Sequence, residues 1–190
     1  MSPTPWRPTP AQLDAARNTT VPDLIRPGLL VLFSGINPSL YSAAVGHHFA
    51  RPGNRFWPAL AAGGFTSRRL SPFEESELLG SGCGITNVVD RATVAADELA
   101  PEEFVEGGRR LAAKVETYRP RFIAFLGILA YRAAFDRPRA VVGPQPEAIG
   151  GAMVWVLPNP SGLNAHYNLA DLGVLFASLR AAAVEPGAGV

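Results

Sequence analysis

The chain has 190 residues, 47% of them hydrophobic, which is enough to bury the core of one compact domain. Its formal net charge of +1 excludes a strongly basic protein that is held on nucleic acid by bulk charge. The single cysteine, Cys83, excludes a disulfide framework and a cysteine-bound iron–sulfur cluster, and it favours a reducing cytoplasm. We find no apolar run long enough to span a membrane, and the polar, proline-rich start is not typical of a signal peptide.

In the first half of the chain, capping signals and apolar runs predict three helices and two strands. Thr9 and Pro10 form an N-cap and a first helical position, which predicts a helix to about Asn18. Ser71 opens a capping box with proline in the first turn, which predicts a helix to about Leu79. The remaining elements are a strand at residues 29–34, a helix at residues 54–62 and a strand at residues 85–89.

The second half of the chain alternates helices with short apolar strands. Its predicted elements are a helix at residues 101–118, a strand at 122–126, a helix at 128–135, a Pro/Gly-rich loop at 137–151, a strand at 153–157 and a last helix capped by Asn168. Strands separated by helices predict a parallel sheet that is covered on both faces. We expect one domain over residues 1–190, with loose termini at residues 1–8 and 186–190.

Two loops of similar sequence follow two of these strands. The first apolar run breaks into GINPS, which begins at Gly35, and the last breaks into PNPSGL, which ends at Leu163. In open α/β sheets, the loops at the carboxyl ends of the strands are where ligands bind. The sequence therefore predicts a site built from two loops that are far apart in the chain.

Charge is distributed unevenly around these loops. Residues 24–73 contain no acidic residue but carry five arginines, and residues 148–170 contain no Asp, Glu, Lys or Arg. A surface that faces phosphate groups requires such a clearing of negative charge. Chance, combined with solvated helix faces, is the alternative.

Familiar cofactor and nucleophile motifs are missing from the sequence. There is neither a phosphate-binding P-loop, nor a Gly-rich dinucleotide fingerprint, nor a nucleophile elbow. His47 and His48 are adjacent, which is poor spacing for one metal ion, and we interpret them as surface polar residues. We predict no metal and no organic cofactor.

Four motifs in order carry a resemblance to a known family. GINPS, FARPGNRFW, GITNVVDRAT and LPNPSGL resemble the mismatch-specific uracil/thymine DNA glycosylases of the uracil-DNA glycosylase superfamily. The resemblance implies an α/β/α sandwich with a central four-stranded parallel sheet. It also implies a monofunctional DNA repair enzyme without a cofactor, which flips uracil, or thymine and modified pyrimidines, out of mispaired duplex DNA and excises it.

Asn37 is the predicted catalytic residue. A neutral amide cannot accept a full proton, but its carbonyl oxygen can orient a water molecule, which suffices when the leaving group departs largely by itself. The resemblance assigns this role to Asn37, whereas an Asn that closes its own turn is the alternative. Asp90 is the candidate for a stronger general base, and an ion pair with Arg91 is its structural alternative.

The predicted base pocket consists of residues near the first loop and the second strand: Gly35, Ile36, Ser39, Phe49 and Asn87. A flipped base needs a flat apolar partner, and the resemblance makes Phe49 that platform. A core phenylalanine beneath the loop is the alternative. Ser39 stands where relatives often have glycine, and Asn87 stands where some have lysine.

The second loop supplies the predicted contacts with the DNA duplex. Its residues are Asn159, Ser161, Gly162, Leu163 and Asn164. The resemblance makes Leu163 the wedge that fills the vacated stack, whereas a Leu folded back on the last helix is the alternative. The chain has Ala165 where relatives carry an arginine shortly after this leucine, so a looser preference for the opposite base is expected. Arg51, Arg55 and Ser161 are the candidate phosphate contacts.

Other functions remain open at this point. A broad uracil-DNA glycosylase that also acts on single strands, a module that binds a damaged base without cutting it, and a flavodoxin-like nucleotide-binding domain are the alternatives. We expect a monomer that acts on DNA and not at a membrane. We expect no lyase activity, because the one lysine, Lys114, lies mid-helix and is predicted to extend to solvent.

Overall fold

The computed structural model describes residues 6–185 and has a mixed sheet flanked by helices. The strands are β1 (Val31–Gly35), β2 (Cys83–Asn87), β3 (Phe122–Leu126), β4 (Gly143–Ile149) and β5 (Ala152–Leu157). The helices are α1 (Pro10–Ala15), α2 (Leu40–Val45), α3 (Phe56–Ala62), α4 (Pro101–Tyr118), α5 (Ile128–Phe135) and α6 (Leu169–Val184). Two 3₁₀ helices, Pro72–Ser81 and Ala96–Glu98, complete the fold.

Four parallel strands bring the two predicted loops to the same edge of the sheet. The strand order is β2-β1-β3-β5-β4, and only the β4–β5 pair is antiparallel. Gly35 at the end of β1 pairs with Asn87 at the end of β2, and Leu126 on β3 pairs with Leu157 on β5. Because these four carboxyl ends are adjacent, the loops that follow them form one surface.

The sheet separates two hydrophobic cores. On one face, Phe33 of β1 packs edge-on against Phe56 of α3 and stacks with Phe176 of α6 at a centroid distance of 5.8 Å. On the other face, Phe125 of β3 packs against Tyr131 of α5 in a core that α4 also enters. The expected three-layer α/β/α architecture is therefore confirmed.

The strand count needs a correction, because the sheet has five strands rather than four. The predicted loop at residues 137–151 contains β4, an antiparallel edge strand whose residues alternate in exposure. Pro144 and Pro146 made this segment look like a loop, yet an edge strand tolerates proline because only one of its sides needs a ladder partner. The membership of the four buried parallel strands is as predicted, with shifts of one or two residues at β1, β2 and β5.

Several helical segments also differ from expectation; α1, for example, ends at Ala15 rather than near Asn18. The sequence did not predict α2, a single short helix that Ser39 caps and Gly46 ends with a positive φ of 75°. The segment after Ser71 does have the predicted capping box, but it is a 3₁₀ helix that continues to Ser81. Residues 1–5 and 186–190 of the predicted loose termini lie outside the described residues.

None of the helices in the described range, residues 6–185, combines the length and apolar character needed to span a membrane.

Candidate active site

A cavity of about 230 Å³ opens at the carboxyl edge of the sheet. At roughly 30 Å³ for each water molecule, this volume corresponds to about eight water molecules, enough for a heterocyclic ring. Most of the predicted site residues line it: Gly35, Ile36, Asn37, Ser39, Phe49, Arg51, Asn87, Asn159, Ser161 and Leu163. The lining also contains Ser42, His48, Asn54 and Thr93, and no Asp or Glu. Asp90, Arg55, Gly162 and Asn164 are not part of the lining.

The amide group of Asn37 has a defined orientation. Its Nδ2 donates to the main-chain oxygen of Arg91 at 3.0 Å and to Oγ1 of Thr93 at 2.8 Å. The main-chain oxygen of Arg91 can only accept a hydrogen bond, so the amide nitrogen of Asn37, and not the amide oxygen, must face it. Both amide hydrogens are thereby used, and within residues 6–185 no donor reaches Oδ1. Asn37 therefore does not close its own turn, and it offers the cavity an acceptor.

Thr93 is a site residue that sequence reasoning missed. It is 2% exposed, and its hydroxyl donates to the main-chain oxygen of Ala95 at 2.8 Å, so Oγ1 is left as an acceptor for Asn37. Its main-chain N–H donates to Pro38, which joins the loop after β2 to the loop after β1. The signal in the sequence was its place at the end of the motif GITNVVDRAT, six residues beyond β2, which did not single it out among the ten residues of that motif.

The loop that carries Thr93 is anchored by Arg91. The Arg91 guanidinium pairs with the carboxylate of Glu103 on α4 and donates to the main-chain oxygen of Glu98. The hydrogen bond from Arg91, with the main-chain N–H of Ala100, lowers the pKa of Glu103 to about 2. This carboxylate is therefore ionised at neutral pH, and the ion pair fixes the main chain that holds Asn37.

Phe49 and Asn87 form two walls of the cavity beside Gly35. A Cβ atom on Gly35 would lie 2.5 Å from Oδ1 of Asn87 and 3.1 Å from Cζ of Phe49, so only glycine fits between them. Phe49 has a positive φ of 52°, a costly conformation for an aromatic residue. Its ring packs on Phe56 at 4.2 Å and also faces the cavity. The ring thus belongs to the core on one side and to the cavity on the other.

The sequence suggested that both histidines before Phe49 lie at the surface, and this is wrong for His48. His48 is 2% exposed, and its Nε2 lies 2.8 Å from the main-chain oxygen of Pro22, which assigns the proton to Nε2. The carboxylate of Glu75 accepts from the His48 main-chain N–H and contacts Nδ1 of His47, both at 2.9 Å. Burial lowers the pKa of His48 and so favours its neutral form.

Ser39 has a structural role at the cavity floor. Its Oγ accepts from the main-chain N–H of Ser42 at 3.1 Å and thereby caps α2. Ser42 in turn reaches the main-chain N–H of Ala50 with its own hydroxyl. The cap therefore connects the loop after β1 to the segment that carries Phe49.

The loop that follows β5 (residues 159–168, here the Leu163 loop) is closed by its own polar groups. The Asn159 side chain accepts from the Ser161 N–H at 2.9 Å, and the Asn164 side chain donates to the Asn159 main-chain oxygen at 3.0 Å. Leu163 is 78% exposed at the rim of the cavity. Such exposure excludes the alternative in which Leu163 folds back on α6.

Arg55, a predicted phosphate contact, instead lies against the Leu163 loop. Its guanidinium donates to the main-chain oxygens of Ser161 at 2.5 Å, Asn164 at 2.8 Å and Tyr167. These contacts use three of the five N–H groups of the guanidinium, and the exposure of Arg55 is intermediate. A contact between Arg55 and phosphate therefore stays a prediction. Arg51 is exposed at the rim of the cavity.

Asp90 and Lys114 have partners other than those expected. Asp90 is half exposed, and its carboxylate lies 3.7 Å from Arg110 rather than beside Arg91. Lys114 does not extend freely to solvent, because it forms an ion pair with Asp23 and donates to Oγ1 of Thr86 at 2.9 Å. Neither group lines the cavity.

Few chemistries remain open to the cavity. No cluster of His, Cys, Asp and Glu that could hold a metal ion occurs within residues 6–185. Burial raises the pKa of the Cys83 thiol to about 12, so the thiol stays protonated and is a poor nucleophile. The groups that remain are neutral amides, hydroxyls, a neutral imidazole and an aromatic face, with a cation at the rim.

A comparison with known families agrees with this geometry. The sequence matches the family of the uracil DNA glycosylase superfamily over residues 22–180, which includes both loops and every strand of the sheet. The chain therefore belongs to the uracil DNA glycosylase superfamily.

Proposed function

We propose that this chain is a monofunctional DNA glycosylase that excises uracil from mispaired duplex DNA. Membership of the superfamily indicates DNA as substrate and hydrolytic release of uracil as reaction. The observation that carries our proposal is the fixed amide of Asn37, whose Oδ1 is the acceptor that the cavity offers to a water molecule. The preference for mispaired duplexes is proposed in addition, because membership of the superfamily does not determine it.

The proposed reaction needs no strong base. The bond between the sugar C1′ and the base nitrogen breaks first, which leaves an oxocarbenium-like sugar and a pyrimidine anion. A water molecule held by Oδ1 of Asn37 then adds its oxygen to C1′, and its proton ends on the released base. The products are free uracil and an intact strand with an abasic site.

The walls of the cavity suit a flat pyrimidine. The ring of Phe49 supplies a stacking surface, since it is held from behind by Phe56. Asn87 offers both a donor and an acceptor, as the edge of a uracil ring requires, and it is 6% exposed. We propose that these two residues receive the extrahelical base.

Leu163 supports the duplex part of the proposal. An exposed leucine on a self-bonded loop without charged residues has the character of a wedge between base steps. Arg51 at the rim is the proposed phosphate contact, and Ser161 is the second. Because Ala165 replaces the arginine found in relatives, we propose a loose preference for the opposite base.

The role of Asp90 as a general base stays a prediction. Its carboxylate lies outside the cavity lining, at 3.7 Å from Arg110. If Asp90 activates water, Asp90→Asn should lower the excision rate steeply and flatten the acidic limb of the pH–rate profile. If only the ion pair matters, Arg110→Gln should change stability and rate as much as Asp90→Asn does.

The absence of a lyase step is a further part of the proposal. A bifunctional glycosylase needs an amine that attacks C1′ and forms a Schiff base. The amine of Lys114 is engaged by Asp23 and Thr86. We expect strand breaks only after added alkali. Borohydride trapping of an enzyme–DNA adduct during turnover would contradict this expectation.

One panel of oligonucleotides tests the proposed function. Uracil is placed opposite guanine, opposite adenine and in a single strand, and thymine and modified pyrimidines are placed opposite guanine. The proposal predicts release of free uracil, fastest from the mispaired duplex. Equal rates on single strands would favour the broad-range enzyme, and tight binding without release would favour a base-binding module.

A further inference from the structure

The guanidinium of Arg55 connects the motif FARPGNRFW to the Leu163 loop. It contacts three main-chain oxygens of that loop, those of Ser161, Asn164 and Tyr167. We propose that Arg55 is a positioning residue that holds the Leu163 loop in the shape that enters DNA, and so sets the preference for duplex over single-stranded substrate. This inference rests on the proposed function, because it assigns the loop to duplex recognition.

The main chain around Arg55 strengthens the same connection. The Arg55 N–H donates to the main-chain oxygen of Pro160 at 2.9 Å. A Cβ atom on Gly162 would lie only 2.6 Å from the main-chain oxygen of Gly53, so the loop packs directly on the segment before Arg55. The loop thus packs on residues 53–55. Within the described residues 6–185, Arg55 is the side chain of this segment that donates to several main-chain oxygens of the loop.

Two common roles of an arginine at a helix start, a side-chain cap and an ion pair, do not account for the Arg55 side chain. It is the N-cap of α3 but makes no side-chain capping hydrogen bond. Within residues 6–185 no carboxylate pairs with it, and its Nε is buried without a hydrogen-bond partner. The guanidinium exchanges water for three main-chain oxygens. Its structural effect is to hold the residues that carry these oxygens close together.

The geometry requires arginine rather than any cation. The three oxygens belong to residues 161, 164 and 167, which are spaced three residues apart along the loop. The planar guanidinium reaches them from two nitrogens at once, whereas an ammonium group is a single point donor. Lysine should therefore keep the charge and lose the loop geometry.

The effect on function follows from the wedge. A loop that is already ordered loses little conformational entropy when it enters the duplex, whereas a loosened loop must be ordered at that moment. A single strand leaves no vacated stack to fill, so excision from it does not depend on the wedge. Loss of Arg55 should therefore act selectively on duplex substrate.

The experiment compares Arg55→Lys and Arg55→Ala with the wild type and with Arg139→Lys, which changes an exposed arginine before β4. Single-turnover excision is measured on uracil in a duplex and in a single strand of the same sequence. Hydrogen exchange is measured for the amides of Leu163, Asn164 and His166, which are bonded within the loop. Circular dichroism and thermal midpoints verify that each variant is folded.

We expect both Arg55 variants to lose about tenfold or more of the duplex rate and less than about threefold of the single-strand rate. The three loop amides should exchange faster, and added guanidinium should partly restore the duplex rate of Arg55→Ala. Arg139→Lys should match the wild type. If the wild type excises uracil from duplexes but not from single strands, the duplex rate and the exchange of the loop amides together test the role of Arg55.

Two results would overturn the inference and leave the proposed function standing. One is an equal loss of rate on both substrates, and the other is a reduced duplex rate with unchanged exchange of the loop amides. A wild-type protein that releases no uracil from any substrate would instead overturn the proposed function. The two failures are therefore distinguishable.

Discussion

Thr93→Val tests whether the orientation of Asn37 determines the reaction rate. Valine has nearly the shape of threonine but cannot accept the hydrogen bond from Nδ2 of Asn37, which is 2.8 Å long. An unpaired buried donor costs about 1–3 kcal/mol, and the lower part of this range applies because Asn37 is only partly buried. A loss of about 1–2 kcal/mol from the transition state corresponds to a rate lower by about 5- to 30-fold.

The assay for Thr93→Val is single-turnover release of uracil at saturating enzyme, combined with a binding measurement on DNA that carries an uncleavable analogue. The hydrogen bond orients Asn37, which is proposed to hold the water, and it does not contact the duplex. Affinity for DNA should therefore stay within about twofold of the wild type. Thr93→Ser keeps the hydroxyl and should restore most of the rate. A wild-type rate in a well-folded Thr93→Val, or an equal loss in Thr93→Ser, would refute the reasoning.

Three further predictions concern the walls and rim of the cavity. Leu163→Ala should lower the rate on duplexes more than on single strands and leave the thermal midpoint unchanged, because the side chain is 78% exposed; equal losses on both substrates would reject the wedge. Phe49→Ala should weaken capture of the base by roughly 1–3 kcal/mol, measured as affinity for an analogue, and a wild-type affinity would exclude stacking. Burial lowers the pKa of His48, although the carboxylates of Glu75 and Asp23 act to raise it. Just below about pH 6.5 the unfolded chain therefore binds more protons at this histidine than the folded chain does. Stability should therefore be complete above about pH 6.5 and fall as the pH is lowered below it, more steeply in the wild type than in His48→Gln, and parallel melting curves would contradict this.

The buried elements could be predicted from sequence because their signals are local. The bounds of α4, β3 and α5 match the expected ranges. Helix α4 has a periodic apolar stripe, and β3 is a continuous apolar run that ends at Gly127, directly before α5 begins. Strand β4 could not be predicted in this way. Pro144 and Pro146 are local signals against a strand, and only the pairing with β5 across the following turn overrides them.

The site was predictable in its members but not in its connections. Asn37, Phe49 and Leu163 stood out because they lie in motifs that resemble a known family, and all three line the cavity. The partner of Asn37 lies 56 residues away, and the partners of Arg55 lie more than 100 residues away. No period or motif encodes such contacts, so the positioning role of Thr93 and the structural role of Arg55 required the fold.

The decisive measurement for the role of Asn37 is the rate at which Asn37→Ala releases uracil from a mispaired duplex under single-turnover conditions. The substitution removes the proposed water acceptor and leaves Phe49, Asn87 and Leu163, the other lining residues with proposed roles, unchanged. We predict that the rate falls about 100-fold or more, the scale on which a positioned reacting group contributes, while affinity for the duplex stays close to that of the wild type. A folded Asn37→Ala that releases uracil at the wild-type rate would contradict the central claim.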